Sequence, residues 1–523
     1  MKLNRRSLGL AGIGLLLTPV STAAPMRKDP AVLFANGKVR GRARGEVAEF
    51  LGIPYGADTR TRRFEAPKAA VAWKGVRDAL SHGPACFQGS GGETQGEDCL
   101  VLNVWTPTLE ASARKPVLVY IHGGGYSGGS GSAPVTDGAE LARRGDCVVL
   151  TLNHRLNVFG HLFLPHLVRE ERYAASGNAG LLDLVLALEW VRDNIAAFGG
   201  DRDCVTLFGQ SGGGGKIACL MAMPAAKGLF HRAWTMSGQQ VTAQGPKGAS
   251  ARAQAVADHL NLSPGKLAET DAQRLLAGLA ARDPSIVGSR VYWGPVLDGA
   301  ALPVHPFWPE APKLSSSIPM VMGNTREETG SLIAMGDASV FALTWDTLPA
   351  RLERDMVTDI DVAQVVRAYR ELFPQITPPQ LFIKATTAGR SWRAQVVEAE
   401  ARAKEQGPTW VYQLNFANPR DGGRYGAHHT LDIPLVFANT AKAEAETGDG
   451  AGARGVSAAM SDALLRFART GDPSGGSLGA WPRYELARRA TMTFDVESRV
   501  ENDPRKAERE LFAKAPYIQP GTY

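Results

Sequence analysis

Three short stretches of the chain are apolar at successive positions instead of alternating. They are Pro116-Val-Leu-Val-Tyr-Ile-His122, Cys147-Val-Val-Leu-Thr-Leu152 and Val205-Thr-Leu-Phe208. Runs of this length without alternation read as strands covered on both faces, which is the environment of a parallel sheet. Around them, Ala31 to Tyr55 breaks into short alternating strands, and Cys99 to Trp105 is a strand closed by Thr106-Pro107. Leu141 to Arg144 fits the end of a helix. Asn178 to Phe198 has the apolar spacing of an amphipathic helix (Leu182, Val185, Leu186, Leu188, Trp190, Val191) and stops at Gly199-Gly200. Strands alternating with helices predict an α/β protein with a central, mostly parallel sheet flanked by helices.

Beyond Ser237-Gly238 the pattern changes. Ser250–Ala281, Trp345–Phe373 and Pro379–Lys404 carry helical spacing with no strand inside them. They read as helical insertions, around 250–281 and 345–404, that build a lid or pocket wall. Pro319–Gly323 and Thr409–Asn415 are strand-like, and Ala441–Gly455 reads as a polar loop. No Pro/Ser-rich linker or charge block divides the chain, so residues 24–523 are expected to form a single domain.

Residues 1–23 have the layout of a signal peptide: basic Lys2, Arg5 and Arg6, an apolar run from Leu8 to Val20, and small residues at Ser21-Thr-Ala23. Gly12, Gly14 and Pro19 interrupt a run already too short for a membrane anchor. Asn4-Arg-Arg-Ser-Leu8 hints at twin-arginine export. A periplasmic or secreted location is expected. The formal charge of +6 falls to +3 once those three basic residues are removed, and no basic cluster is interleaved with aromatics, so nucleic-acid binding is unsupported. Of the five cysteines, Cys86 and Cys99 flank a Gly/Gln/Ser/Glu-rich stretch and are the candidates for oxidation after export. Cys147, Cys204 and Cys219 lie in apolar runs and read as buried free thiols.

The chemistry starts at the end of the third apolar run. Val205–Phe208 leads directly into Gly209-Gln-Ser-Gly-Gly213, followed by the helix-permissive Lys216–Met223 and Pro224. Strand, Gly-x-Ser-x-Gly, helix is the setting of a nucleophile elbow, with Ser211 at the turn. The rival reading, a glycine-rich loop that only caps a helix, uses the same residues. A phosphate loop is excluded by the missing Gly-Lys-Ser/Thr. His122-Gly-Gly-Gly125 supplies free N–H groups after a buried strand, as an oxyanion loop does. Glu327-Glu328 and His428-His429 follow strands in the order nucleophile, acid, base. His154 and His161 have no partner at ligand spacing and are assigned structural roles. No metal and no cofactor is expected.

Taken together the chain resembles the type-B carboxylesterase/lipase family, which includes cholinesterases and bacterial para-nitrobenzyl-type esterases. The matching segments run through nearly all of the mature chain. They are Glu97-Asp-Cys-Leu-Val-Leu-Asn-Val-Trp105, His122–Gly125, Asn153-His-Arg-Leu-Asn-Val-Phe-Gly160, Gly177-Asn-Ala-Gly-Leu-Leu-Asp183, the elbow, Leu229–Ala233 and Ser237-Gly238. Late in the chain come His429-Thr-Leu-Asp-Ile-Pro-Leu-Val-Phe437, Phe467–Pro473 and Trp481–Tyr484. The resemblance implies an α/β-hydrolase with a Ser211–His429–Glu328 triad. It also implies oxyanion donors at Gly124, Gly125 and Gly212, and a Cys86–Cys99 disulfide. Spacing within the family segments selects His429 over His428 and Glu328 over Glu327. The chain departs from the family at Gln210 (usually Glu), Gly212 (usually Ala) and Thr329 (usually Gly). A neutral Gln210 argues against selectivity for cationic substrates.

The expectation is hydrolysis of a small-molecule carboxylic ester through an acyl-enzyme, with Tyr126, Trp293 and Phe307 as candidate pocket aromatics. The runners-up are a hydrolase specialised for an aromatic, carbamate or other particular ester or amide, and a non-catalytic binding protein on the same fold.

Overall fold

The three apolar runs become neighbouring strands at the centre of one sheet. The computed structural model describes residues 29–522, apart from residues 90, 287 and 520. The expected signal peptide, residues 1–23, lies outside the described residues.

Eleven strands make up the main sheet: β1 (Arg42–Arg44), β2 (Val47–Pro54), β3 (Val101–Thr106), β4 (Lys115–Ile121), β5 (Val148–Leu152), β6 (Gly200–Gln210), β7 (Arg232–Met236), β8 (Met320–Thr325), β9 (Thr409–Leu414), β10 (Ala490–Phe494) and β11 (Arg499–Asn502). Their spatial order is β11-β10-β9-β8-β7-β6-β4-β5-β3-β2-β1. From β5 to β10 every pairing is parallel, with Val119 opposite Leu207 and Leu207 opposite Ala233. Only the flanks are antiparallel. The parallel strands are covered on both faces, which is why β5, β8 and β9 are buried at every residue. Edge strand β11 is exposed or half-buried throughout and carries Arg499 and Glu501, charges that discourage pairing with another chain.

Helix α1 (Ala179–Asn194) returns the chain from β5 towards β6. The expected solvent face is nearly absent: Leu181, Leu184, Val185, Leu188, Trp190 and Val191 are all buried. A small sheet of Ala31–Phe34, Gly37–Arg40 and Val76–Asp78 supplies part of the cover, with Phe34 edge-on to Trp190. This also explains why Glu171–Phe198 is long and apolar enough to cross a membrane: most of it lies inside the fold.

Several matching segments turn out to be structural ties. Arg155 pairs with Asp183 at 2.6 Å with both side chains buried, and also bonds the Glu65 carbonyl. Asn153 accepts from the Gly131 N–H and donates to the Pro84 carbonyl.

Helix α2 (Gly212–Ala222) follows the elbow, and α3 (Pro246–His259) begins the first insertion. That insertion packs Ala253, Val256, Leu260, Leu267 and Leu275 into the principal core. The second comprises α4 (Leu348–Asp355), α5 (Val362–Leu372), α6 (Pro378–Thr387) and α7 (Arg393–Lys404), with a π-helical turn at Ala388–Trp392. It builds a separate apolar core around Leu352, Val365, Tyr369, Phe382 and Phe512.

The stretch read as a polar loop, Ala441–Gly455, is instead partly helical. It contains Glu444–Thr447 and the start of α8 (Ala451–Thr470). Val456, Met460, Ala463, Leu464 and Phe467 on α8 are buried against the back of the sheet. Gly452, Gly455 and several alanines had diluted that stripe.

Cys86 and Cys99 are buried, and the expected disulfide between them is not formed in this structure. The segment between them is tied instead by pairing of Ala85–Cys86 with Gln95–Gly96. The Cys86 sulfur accepts from the Leu156 N–H, and contact with Cys86 pushes the Cys99 thiol well above the usual range. Cys147 and Cys219 are buried thiols as expected; Cys204 is only half-buried.

Candidate active site

Strand β6 ends at Gln210, and the next residue, Ser211, has φ 54° and ψ −127°. A non-glycine residue at positive φ is strained, and it is held here because the Ser211 N–H bonds the Met236 carbonyl of β7 at 2.8 Å. The turn can be this sharp only where β6 and α2 nearly touch. A Cβ on Gly213 would overlap the Ile121 carbonyl, and one on Gly212 would overlap the carbonyl of Gly125. The elbow is thereby seated directly on the loop after β4.

In that loop Gly124 and Gly125 sit at φ +85° and +61°. The Ser127 and Gly128 N–H groups close a turn onto the Gly124 carbonyl. Among the described residues, no protein group accepts from the N–H of Gly124, Gly125 or Gly212. Gly212 stands at the N-terminus of α2, where the amide dipoles favour negative charge.

The acid and histidine loops meet over the ends of β8 and β9. Glu328 is fully buried and bonds the Nδ1 of His429 through one carboxylate oxygen. Its other oxygen accepts from the Thr325 N–H at 2.9 Å and the Asn324 side-chain amide at 3.0 Å. Burial alone would push this carboxyl up; the His429 imidazole, with the Ser237 hydroxyl and the Asn324 amide, outweighs burial and holds it below the ordinary value. Thr329, where the family has glycine, has φ −77°, so no glycine is required there. Its hydroxyl bonds the Ile383 carbonyl at 2.8 Å and anchors the acid loop to α6.

The neighbours in each doublet point elsewhere. Glu327 pairs with Lys384 of α6 at 2.6 Å and accepts from the Ala427 N–H. His428 bonds Asn418 at 2.8 Å and Glu446 at 3.1 Å, and its buried imidazole is held below the usual value mainly by desolvation.

Ser211, Gly212, Gly125 and His429 open together into a cavity of about 480 Å³. Tyr126 and Trp293 line it, as expected of pocket aromatics, whereas Phe307 is a core residue away from it. Sequence reasoning missed Tyr292 and Tyr517. Arg390, Ser391 and Ala394 of the second insertion line it, and so do Tyr517, Gln519 and Gly521 near the C-terminal end. Among the described residues, no side chain of the first insertion lines it; Ile286 and Ser289 to Trp293, in the loop that follows, do. Arg290 and Arg390 stand exposed at the wall, and no Asp or Glu lies among the described residues that line it. His154 and His161 are buried in the core, and among the described residues no three or more His, Cys, Asp or Glu converge as metal ligands.

The model of the carboxylesterase family matches residues 28–512. The chain belongs to the carboxylesterase family. It is 36% identical to a para-nitrobenzyl esterase of Bacillus subtilis over 492 residues, covering 91% of this chain and 96% of that one. It is 31% identical to a fumonisin B1 esterase of Sphingopyxis macrogoltabida, covering 93% and 91%. A Geobacillus stearothermophilus carboxylesterase has the same fold, with a TM-score of 0.82 at 36% identity, covering 93% of this chain and all of that one. As a carboxylesterase of this family, the protein is an α/β-hydrolase and a serine carboxylic-ester hydrolase.

Proposed function

We propose that Ser211 is the nucleophile, His429 the general base and Glu328 the acid that orients it, with the N–H groups of Gly124, Gly125 and Gly212 receiving the oxyanion. One observation carries this reading: His429 is tied to Glu328 through Nδ1 and opens into the same cavity as Ser211 at its strained elbow. With Nδ1–H donated to Glu328, Nε2 is the acceptor nitrogen, the tautomer a general base needs. His429 takes the Ser211 proton as Oγ attacks the ester carbonyl. The tetrahedral oxygen is held by the glycine N–H groups, and the same proton goes to the departing alcohol. Water then repeats the sequence on the acyl-enzyme.

The substrate is read as a small-molecule ester with an uncharged or anionic body. Aromatic walls from Tyr126, Tyr292, Trp293 and Tyr517 suit apolar groups, and a lining with Arg290 and Arg390 but no carboxylate among its described residues disfavours a cation. We read residues 1–23 as an export signal and 24–523 as one domain in the periplasm or outside the cell. There, oxidation of the neighbouring Cys86 and Cys99 thiols would supply the disulfide.

The test is labelling with a fluorophosphonate followed by peptide mass spectrometry. The adduct is expected on Ser211 and absent from Ser211→Ala, which should lose roughly a million-fold in kcat. An adduct elsewhere, or undiminished hydrolysis by Ser211→Ala, overturns the reading.

A further inference from the structure

Five residues after Ser211, helix α2 carries a lysine that is wholly inaccessible to solvent. The Lys216 ammonium has no carboxylate partner among the described residues. It donates instead to two backbone carbonyls of the loop after β4: Gly125 O at 2.8 Å and His122 O at 3.3 Å. The ring of Tyr126, in the same loop, lies 5.4 Å away, within cation–π reach. A buried, unpaired cation is expensive, and a methionine of similar length would fill the space without that cost.

The two carbonyls it holds belong to the peptide units that bracket the Gly124 and Gly125 amides. Fixing both ends of a glycine run removes the freedom that three successive glycines would otherwise have. Lys216 is not among the residues that line the cavity, whereas Gly125, whose carbonyl it holds, is. Gly212, lacking a Cβ, lets the loop rest on α2 closely enough for Lys216 to reach it.

We propose that Lys216 is a positioning residue for ester hydrolysis, clamping the His122–Gly125 loop so that its free amides face the oxyanion and adding a buried positive charge behind them. The inference rests on the reading of Ser211 as nucleophile and of those glycines as oxyanion donors.

The groups facing this ammonium from each neighbouring element are His122 and Tyr126 of the loop, His154 and His161 beyond β5, and Cys219 on α2 itself. Burial keeps His122 and His161 down at about 3 and His154 well below its usual value, so all three are neutral at working pH. Burial pushes the Cys219 thiol up to about 12 and Tyr126 well above its range. Lys216 itself is pulled by burial down to about 7, so it changes charge near neutrality while its neighbours do not. A neutral amine still donates hydrogen bonds, so losing the proton should weaken the hole without dismantling it.

The experiment compares wild type with Lys216→Met on a chromogenic ester and on a trifluoromethyl ketone that mimics the tetrahedral oxyanion. For the variant, kcat is expected to fall about a hundred-fold with KM changed little, and trifluoromethyl ketone affinity to fall in parallel. In wild type, kcat/KM should step down about tenfold as pH rises through 7 to 8.5; in the variant that step should be missing. If the variant does not fold, the wild-type profile decides, since a profile flat from pH 7 to 9.5 overturns the proposal. A folded variant that keeps kcat, or that loses ester and ketone affinity equally at unchanged kcat, also overturns it. A wild type without esterase activity would sink the functional reading itself; an active wild type with either of those outcomes sinks this inference alone.

Discussion

The Gln210 side chain lies across the face of the His429 imidazole, its amide nitrogen 3.1 Å from Nε2 and 3.5 Å from Nδ1. Near-equal distances to both ring nitrogens mean that the amide is not on the in-plane lone pair of Nε2. That lone pair stays available to Ser211, and the amide presents its N–H to the ring's π face. The residue that departs from the family pattern thus touches the proposed base.

Replacing that amide with a carboxylate should change the base. A negative charge at this distance favours imidazolium, and the imidazolium cannot accept the Ser211 proton. Gln210→Glu is therefore expected to move the acid limb of kcat/KM to higher pH. Cationic esters should gain relative to neutral ones. A pH–rate series on paired neutral and choline-type esters reads both effects; an unmoved acid limb would show that residue 210 does not sense the base.

The two doublets separate chemistry from support. His429→Ala should abolish measurable turnover, and Glu328→Gln should cost about ten-thousand-fold in kcat. His428→Ala should leave kcat within a few-fold. Glu327→Gln removes the charge of a half-buried ion pair with Lys384 but keeps an oxygen that can accept from the Ala427 N–H, so its expected loss is about 1 kcal/mol of stability with modest change in kcat. Denaturant melts beside kinetics distinguish the cases. Collapse of kcat in His428→Ala with His429→Ala active would shift the register by one.

A buried acid on α7 makes stability fall with pH. Glu398 accepts from the Gln240 N–H at 2.7 Å, its other oxygen is unpartnered among the described residues, and burial raises it from 4.5 to about 8. Between these values the folded protein holds a proton that the unfolded chain has released, so stability is full below about 4.5 and drops as pH rises through 8. Glu398→Gln keeps the acceptor and removes the titration. Its Tm should match wild type at pH 5 and exceed it at pH 8.5, and equal pH slopes for the two proteins would refute this.

Cys86 and Cys99 are adjacent enough to interact as thiols. In protein recovered from the periplasm, a non-reducing peptide map is expected to join them. Closing this short loop should raise stability by about 3 kcal/mol in the chain-entropy picture. Two free thiols in exported protein would contradict it.

Reading the chain alone located two of the strands that bear the proposed site, because β4 and β6 are continuous apolar runs followed by glycine-rich turns. It placed Ser211, Glu328 and His429 after strands, and the fold brings Ser211 and His429 to one cavity with Glu328 buried against His429. The same reading failed where burial and pattern parted company. Helix α8 is hidden by its glycines and alanines, and β10 and β11 are short segments whose connecting turn at Asp495–Ser498 has neither glycine nor proline to mark it. Lys216 was seen only as part of a helix-permissive run, since nothing in a linear sequence says that a lysine faces inward. Tyr517 lies near the chain's end, and only the folded path carries it back to the cavity.

The parallel sheet collects the site from the ends of β4, β6, β8 and β9. The Glu328–His429 pair spans 101 residues of chain and the Gln210–His429 contact spans 219. During synthesis Ser211 emerges long before His429, so on the proposed roles a chain released before the His429 loop has docked holds a serine without its base. Hydrolysis therefore switches on late and all at once. Turnover of a chromogenic ester is accordingly a readout of completed folding, and the cell is spared a half-built hydrolase.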